Sequence, residues 1–198
     1  DDPRYRSYVQ SYIEVAGRRG VTPDAARTVV RTNATVIAAL AVIRGEADAM
    51  ICGVEGRYMS HLRHVREIIG CASGISDFAA LALLITSKGA YFFADTEVRS
   101  NPSAEELAEI AALAANHVQR FNLKPKIAFL SHSDFGSFDS ESSRKMRRAT
   151  ALLKEHHPEL EADGEMQGDT ALSEATRKLV LPHSVLEGVA NILVMPNL

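Results

Sequence analysis

Only two cysteines occur, Cys52 and Cys71, in no CxxC pair and in no Cys/His cluster at metal-ligand spacing. Their scarcity argues against a disulfide framework and a structural zinc site, and it fits a reducing cytoplasm. Charge of one sign is equally scarce. With 22 basic residues against 25 acidic and a formal net charge of −3, no polyanion-binding face stands out, and nucleic acid is not an expected partner. Long apolar runs are missing too. The longest, such as 79–86 and 192–195, fall far short of the roughly 20 residues that span a bilayer, so no membrane segment is expected. The chain opens Asp1-Asp2-Pro3-Arg4-Tyr5, with no initiator Met and no basic-then-apolar leader, and it closes on Asn191–Leu198, a buried-strand pattern. Both ends lead us to expect an internal piece of a longer protein.

What is present is an ordinary globular composition, 46% hydrophobic and 24% charged over 198 residues, enough for one sizeable core or two modest ones. Tyr5, Tyr8, Val9, Tyr12, Ile13 and Ala16 recur three and four apart, which predicts a helix over 3–19 closed by Gly20. Thr22-Pro23-Asp24 caps a second helix, and 33–44 is a third. Residues 47–54 read as a short strand that enters a glycine turn and then a helix over 58–69, one β-turn-α unit. A hairpin is expected over 81–95, turning at Ser87-Lys88-Gly89. Ser103 and Glu106 form a capping box ahead of a helix reaching about Phe121. Thereafter 126–130 is a strand, 141–156 a basic helix, 159–166 a strand, 170–179 a helix and 191–195 a strand. This alternation predicts an α/β/α sandwich with a mainly parallel sheet and one antiparallel element. Two subdomains are expected, 1–98 and 99–198.

Ligands of open parallel sheets sit beyond the carboxyl ends of the strands, which directs attention to three loops. The first, at 53–57, leads to Arg57, Ser60 and Arg63, where a guanidinium could take a phosphate or carboxylate bidentately. A solvated face of Arg57, Arg63 and Arg66 is the plain alternative. The second, Ser131-His132-Ser133-Asp134-Phe135-Gly136-Ser137, resembles an anion cradle of small hydroxyls and glycine, with Ser131, Ser133 and Gly136 as contacts. It lacks the GxxxxGK[ST] order, and Asp134 brings a negative charge that opposes a phosphate. It reads equally as a polar loop in which Ser140 or Asp139 caps the next helix. The third, Asp163–Thr170, is acidic but lacks EF-hand spacing, so it reads as a surface turn. No catalytic residue and no metal ligand can be assigned.

Ala47-Asp-Ala-Met-Ile-Cys-Gly53, Leu62-Arg63 before Ile68-Ile69, Ala128-Phe-Leu-Ser-His-Ser133, Asp163-Gly-Glu-Met-Gln-Gly-Asp-Thr-Ala171 and the late strand at 191–198 together resemble the phosphate acetyltransferase family. The segments 4–20 and 51–69 are most similar to the version fused behind bacterial malic enzymes. The resemblance implies an isocitrate/isopropylmalate dehydrogenase-like fold in two parts, usually dimeric, with a CoA-binding cleft and an arginine matching Arg63. The family's Ser-Tyr-Ser-Thr loop appears here as Ser131-His132-Ser133-Asp134, and its Asn-Pro as Arg99-Ser100. Those departures, with an acid beside the phosphate, put acetyl transfer in doubt. The resemblance therefore implies a domain that binds acetyl-CoA or a related CoA ligand as an effector and holds a homo-oligomer together. It carries no cofactor itself, and NAD(P) and a divalent metal would belong to the malic enzyme part. An active phosphate acetyltransferase is the alternative, and a purely structural assembly domain a third reading.

Overall fold

The computed structural model describes residues 2–198, and the chain divides into two compact units, Asp1–Phe78 and Ala79–Leu198. The division falls earlier than the boundary read at 98/99, because the hairpin pairs with the strands that follow it.

In the first unit, α1 (Tyr5–Ala16) turns Tyr8, Val9, Tyr12 and Ala16 inward, and a 3₁₀ turn over Gly17–Arg19 ends at Gly20, left-handed at φ 89°. α2 (Pro23–Thr32) starts under a Thr22 cap that accepts from the Ala25 N–H. α3 (Ala34–Ile43) starts under Asn33, which accepts from the Val36 N–H, and the two helices meet at a 101° bend. The Asn33 cap leaves one free N–H fewer at the bend. α4 (Tyr58–Ile68) completes the unit, adding Ile68 to a core of Tyr8, Tyr12, Val30, Val36 and Leu40. The strand expected at 47–54 does not form. Ile51 and Val54 are each 96% exposed, and no described segment pairs with theirs; without a neighbour, an extended segment leaves its backbone groups to water and gains nothing from being a strand. The β-turn-α unit is thus corrected to a loop and a helix.

The second unit is a five-stranded sheet in the order β1-β2-β5-β3-β4. β1 (Leu81–Thr86) and β2 (Gly89–Ala94) form the expected antiparallel hairpin. β3 (Lys126–Leu130), β4 (Glu161–Met166) and β5 (Ile192–Val194) run parallel to β2. α5 (Ala104–Gln119), opened by the Ser103–Glu106 capping box, and α6 (Glu141–His156), capped by Ser140, bury one face around Phe92, Leu107, Ile127, Phe129, Met146 and Ile192. Ala128, Met166, Ala171, Leu186, Ala190 and Leu193 form the core of the other. Covering both faces is what parallel strands require, and the α/β sandwich read from the sequence is present.

The helix expected over 170–179 is broken into α7 (Gly168–Leu172) and α8 (Glu174–Val180). Ser173 is extended between them and accepts from the Thr176 N–H, since a serine side chain offers the backbone an alternative to a continuing helix. Arg177 of α8 is fully buried. Its guanidinium donates to the carbonyls of Thr170 at 3.1 Å, Leu186 at 2.8 Å and Gly188 at 2.5 Å, which fastens the segment entering β5 to α7. β1 forms one edge and leaves Leu83, Leu84 and Ile85 exposed. The apolar run of α3 is largely core instead, with Thr35, Val36, Ala39 and Leu40 buried. No single helix among the described residues is long and apolar enough to cross a membrane.

Candidate functional site

Because β2, β5, β3 and β4 are parallel, the loops that leave them at Asp95, Met195, Ser131 and Gln167 gather at one edge of the sheet. There Asp95, buried, accepts the N–H groups of Ala80, Glu97, Val98 and Arg99, which closes the loop after the hairpin. Lys145 of α6 reaches Asn101 Oδ1 at 2.8 Å and the Pro196 carbonyl at 2.7 Å. It thereby ties the loops after β2 and β5 together. Burial lowers its pKa, with only Glu141 opposing.

The loop after β3 is organised by a residue that sequence reading passed over. Glu165, fully buried on β4, accepts from Ser133 Oγ at 3.1 Å, Gly136 N at 2.8 Å, and both Nε and Nη2 of Arg147 at 3.1 Å. Burial alone would raise its pKa, but Arg147, the backbone amides and Ser133 outweigh that and hold it low. Most of the loop's other amides are engaged as well: Ser133 donates to Ser131 Oγ, Asp134 to Ser137 Oγ, Phe135 to the Glu165 carbonyl and Phe138 to Ser133 Oγ. The cradle is therefore largely filled by the protein's own acceptors. Ser133 is buried inside it, while Ser131 is half-buried and Gly136 exposed. Asp134 does not stand free either, since its carboxylate accepts the Gln167 N–H at 2.8 Å. Asp163, read as part of a surface turn, is instead buried on β4 between Lys154 Nζ at 3.0 Å and Ser184 Oγ at 2.7 Å.

In the first unit Arg57, Ser60 and Arg63 stand together at the start of α4, all exposed. Neither guanidinium group makes a hydrogen bond or ion pair with a described residue. Beside them, His61 Nδ1 meets Thr35 Oγ1 at 2.8 Å and His64 Nε2 meets Asn33 Nδ2 at 3.0 Å. Asn33 uses its oxygen for the α3 cap, so its amide nitrogen donates, and His64 must accept as a neutral imidazole. Burial, then the charge of Arg63, lowers the pKa of His64, with Glu67 opposing. A histidine depressed in the folded state contributes stability above its unfolded pKa of about 6.5 and loses it as pH falls through the folded value. Thermal unfolding from pH 8 to 5 should therefore fall more steeply for the wild type than for His64→Gln, and equal slopes would refute this.

A family model described as phosphate acetyl/butaryl transferase matches residues 1–198. The chain belongs to the phosphate acetyl/butaryl transferase family. It is 60% identical over 197 residues to an NAD-dependent malic enzyme of Rhizobium meliloti (strain 1021), and 50% identical over 197 residues to an NADP-dependent malic enzyme of Escherichia coli (strain K12). All of this chain is covered in each, but only 26% of those relatives, so it spans about a quarter of their length. A phosphotransacetylase from Streptococcus pyogenes has the same fold at TM-score 0.89 and 31% identity, over 100% of this chain and 60% of that one.

Within this family the departures noted in the sequence have structural partners. Arg99 is buried and lies 3.4 Å from both Glu106 and Glu109 of α5. Asp134 caps the backbone at Gln167. Ser131, Ser133 and Gly136 do share one loop, and Arg57, Ser60 and Arg63 one helix end. What sequence reasoning missed is the pair Glu165 and Arg147. The signal available was an acid inside the strand 161–166 with a basic helix just before it, but only pairing brings them within reach.

Proposed function

We propose that this chain is an acetyl-CoA-sensing, regulatory and oligomerising phosphotransacetylase-like unit of a cytoplasmic NAD(P)-dependent malic enzyme, whose other parts oxidise and decarboxylate malate with NAD(P) and a divalent metal. The observation that carries the reading is the match along the whole chain to malic enzymes at 46 to 60% identity, against 31% for a phosphate acetyltransferase of Nitratidesulfovibrio vulgaris. The loop after β3 supports the regulatory rather than the catalytic version. Acetyl transfer between a thiol and phosphate needs positive groups for the developing charge, whereas this loop has most of its amides occupied and carries Asp134.

In this reading Arg63, with Arg57 and Ser60, supplies the exposed contacts for the anionic part of the CoA ligand. Arg63→Ala in the full-length malic enzyme should weaken the response to acetyl-CoA about ten-fold or more, the loss of a charged hydrogen bond of about 1.5 to 3 kcal/mol. Basal malate turnover should stay near wild type, because the effector acts only through its differential binding to two states. Malate oxidation measured against acetyl-CoA concentration decides it. An unchanged curve makes Arg63 a solvated surface residue. Turnover of acetyl phosphate and CoA by the protein at about 1 to 1,000 per second would favour the enzyme instead.

A further inference from the structure

A cleft of about 710 Å³ opens in the first unit, walled by Arg4, Tyr5, Arg6 and Tyr8 on one side and by Val30, Arg31 and Ile37 on the other. None of Arg57, Ser60 and Arg63 lines it. Among the described residues Asp2 is the one acid in the lining, and it is bound to Arg4 through Nε at 3.1 Å and Nη2 at 2.9 Å. The Arg4 hydrogen bonds hold the Asp2 carboxyl down at about 2, so this pair stays ionised and mutually neutralised through the physiological range. Arg4 has Glu46 as a further neighbour at 3.7 Å. Arg6 and Arg31 have no carboxylate of a described residue within ion-pair distance. Arg31 lies 5.8 Å from the Tyr5 ring centroid, and Tyr5 is held in place by its hydroxyl, which donates to the Arg27 carbonyl at 2.8 Å.

Two guanidinium groups without a described carboxylate partner, both lining one cleft, raise the local potential for an anion, and their planar forks match phosphate oxygens. The volume falls within the range of about 300 to 1,000 Å³ usual for small-molecule sites. Val30 and Ile37 supply an apolar floor, and Tyr5 with Arg31 a flat platform of the kind on which a ring stacks. We propose that this cleft binds a nucleotide-class phosphate ester, with Arg6 and Arg31 taking the phosphate oxygens and the Tyr5 side receiving the base. The inference does not rest on the malic enzyme reading, and no residue given to the acetyl-CoA contact is used.

Isothermal titration of the 198-residue chain with ADP at low salt tests it. Saturable binding is expected that weakens ten-fold or more in an Arg6→Gln, Arg31→Gln double variant and stays unchanged in Arg63→Ala. Both substituted arginines are exposed, so circular dichroism should show the double variant folded. A second variant, Tyr5→Leu, should weaken ADP while leaving inorganic pyrophosphate as it was, since only the base uses the ring. No saturable ADP binding, equal binding by the double variant, or binding lost with Arg63→Ala would overturn the proposal.

Discussion

Replacing Arg147 with alanine should lower the stability of the sheet-bearing unit by about 2 to 3 kcal/mol at pH 7. The carboxylate it leaves behind is fully buried, and two of the four hydrogen bonds to Glu165 come from Arg147. Removing one partner of a buried ion pair typically costs about 3 to 5 kcal/mol, because the other charge remains without compensation. The lower figure applies here since the Arg147 side chain is 48% exposed, and solvent already screens part of the interaction. Glu165→Gln should cost less than Arg147→Ala, as it keeps an acceptor for the Gly136 N–H and strands no buried charge. The pH dependence follows from the lowered pKa of Glu165. A carboxyl depressed in the folded state contributes stability above its unfolded pKa of about 4.3 and loses it as pH falls through the folded value. The gap between wild type and Arg147→Ala should accordingly shrink toward pH 4. Urea unfolding at both pH values measures it, and a gap below about 1 kcal/mol at pH 7 would show that water replaces the guanidinium.

Gly164→Ala should be about as damaging, near 3 kcal/mol, for a steric reason. Gly164 has φ +150°, and a Cβ there would meet both the Cβ and the carbonyl oxygen of Phe129 at 2.8 Å. Neither is the far end of a flexible side chain. Relief requires β3 to move, and β3 lies between β4 and β5; overpacking of this kind costs about 1 to 3 kcal/mol, with the unfavourable φ adding about 1 or more. The same contact lies where the β3–β4 register shifts between Phe129 and Leu130, so the displacement would also disturb the loop that begins at Ser131. Gly168→Ala is the control, since no atom lies within 4 Å of its Cβ position. Thermal unfolding should separate the two, and a Gly164→Ala protein as stable as Gly168→Ala would contradict the argument.

Where local rules govern, the amino-acid sequence was sufficient. Thr22 and Ser103 cap the helices that follow them as read, and of the two residues read for α6 it is Ser140 that caps it, because a cap needs only side-chain chemistry and the next three residues. The turn at Ser87-Lys88-Gly89 and the strands 81–86 and 89–94 could be read for the same reason, as could the parallel units beyond them. Tertiary structure decided the rest. Residues 47–54 have a strand's composition but no strand beside them, and the run at 170–179 breaks at Ser173, where a capping side chain competes with the helix. The hydroxyl-rich loop at 131–137 looked open to an anion because sequence shows how many amides a loop has, not which acceptors reach them. Glu165 lies 29 residues along from Gly136, and only the pairing of β3 with β4 brings its carboxylate into that loop. Arg177, which no sequence motif singles out, is buried among carbonyls that α7 and the approach to β5 bring together. Charges of this kind escape sequence reading because their partners are distant in the chain, and burial makes those partners matter by removing the water that would otherwise replace them.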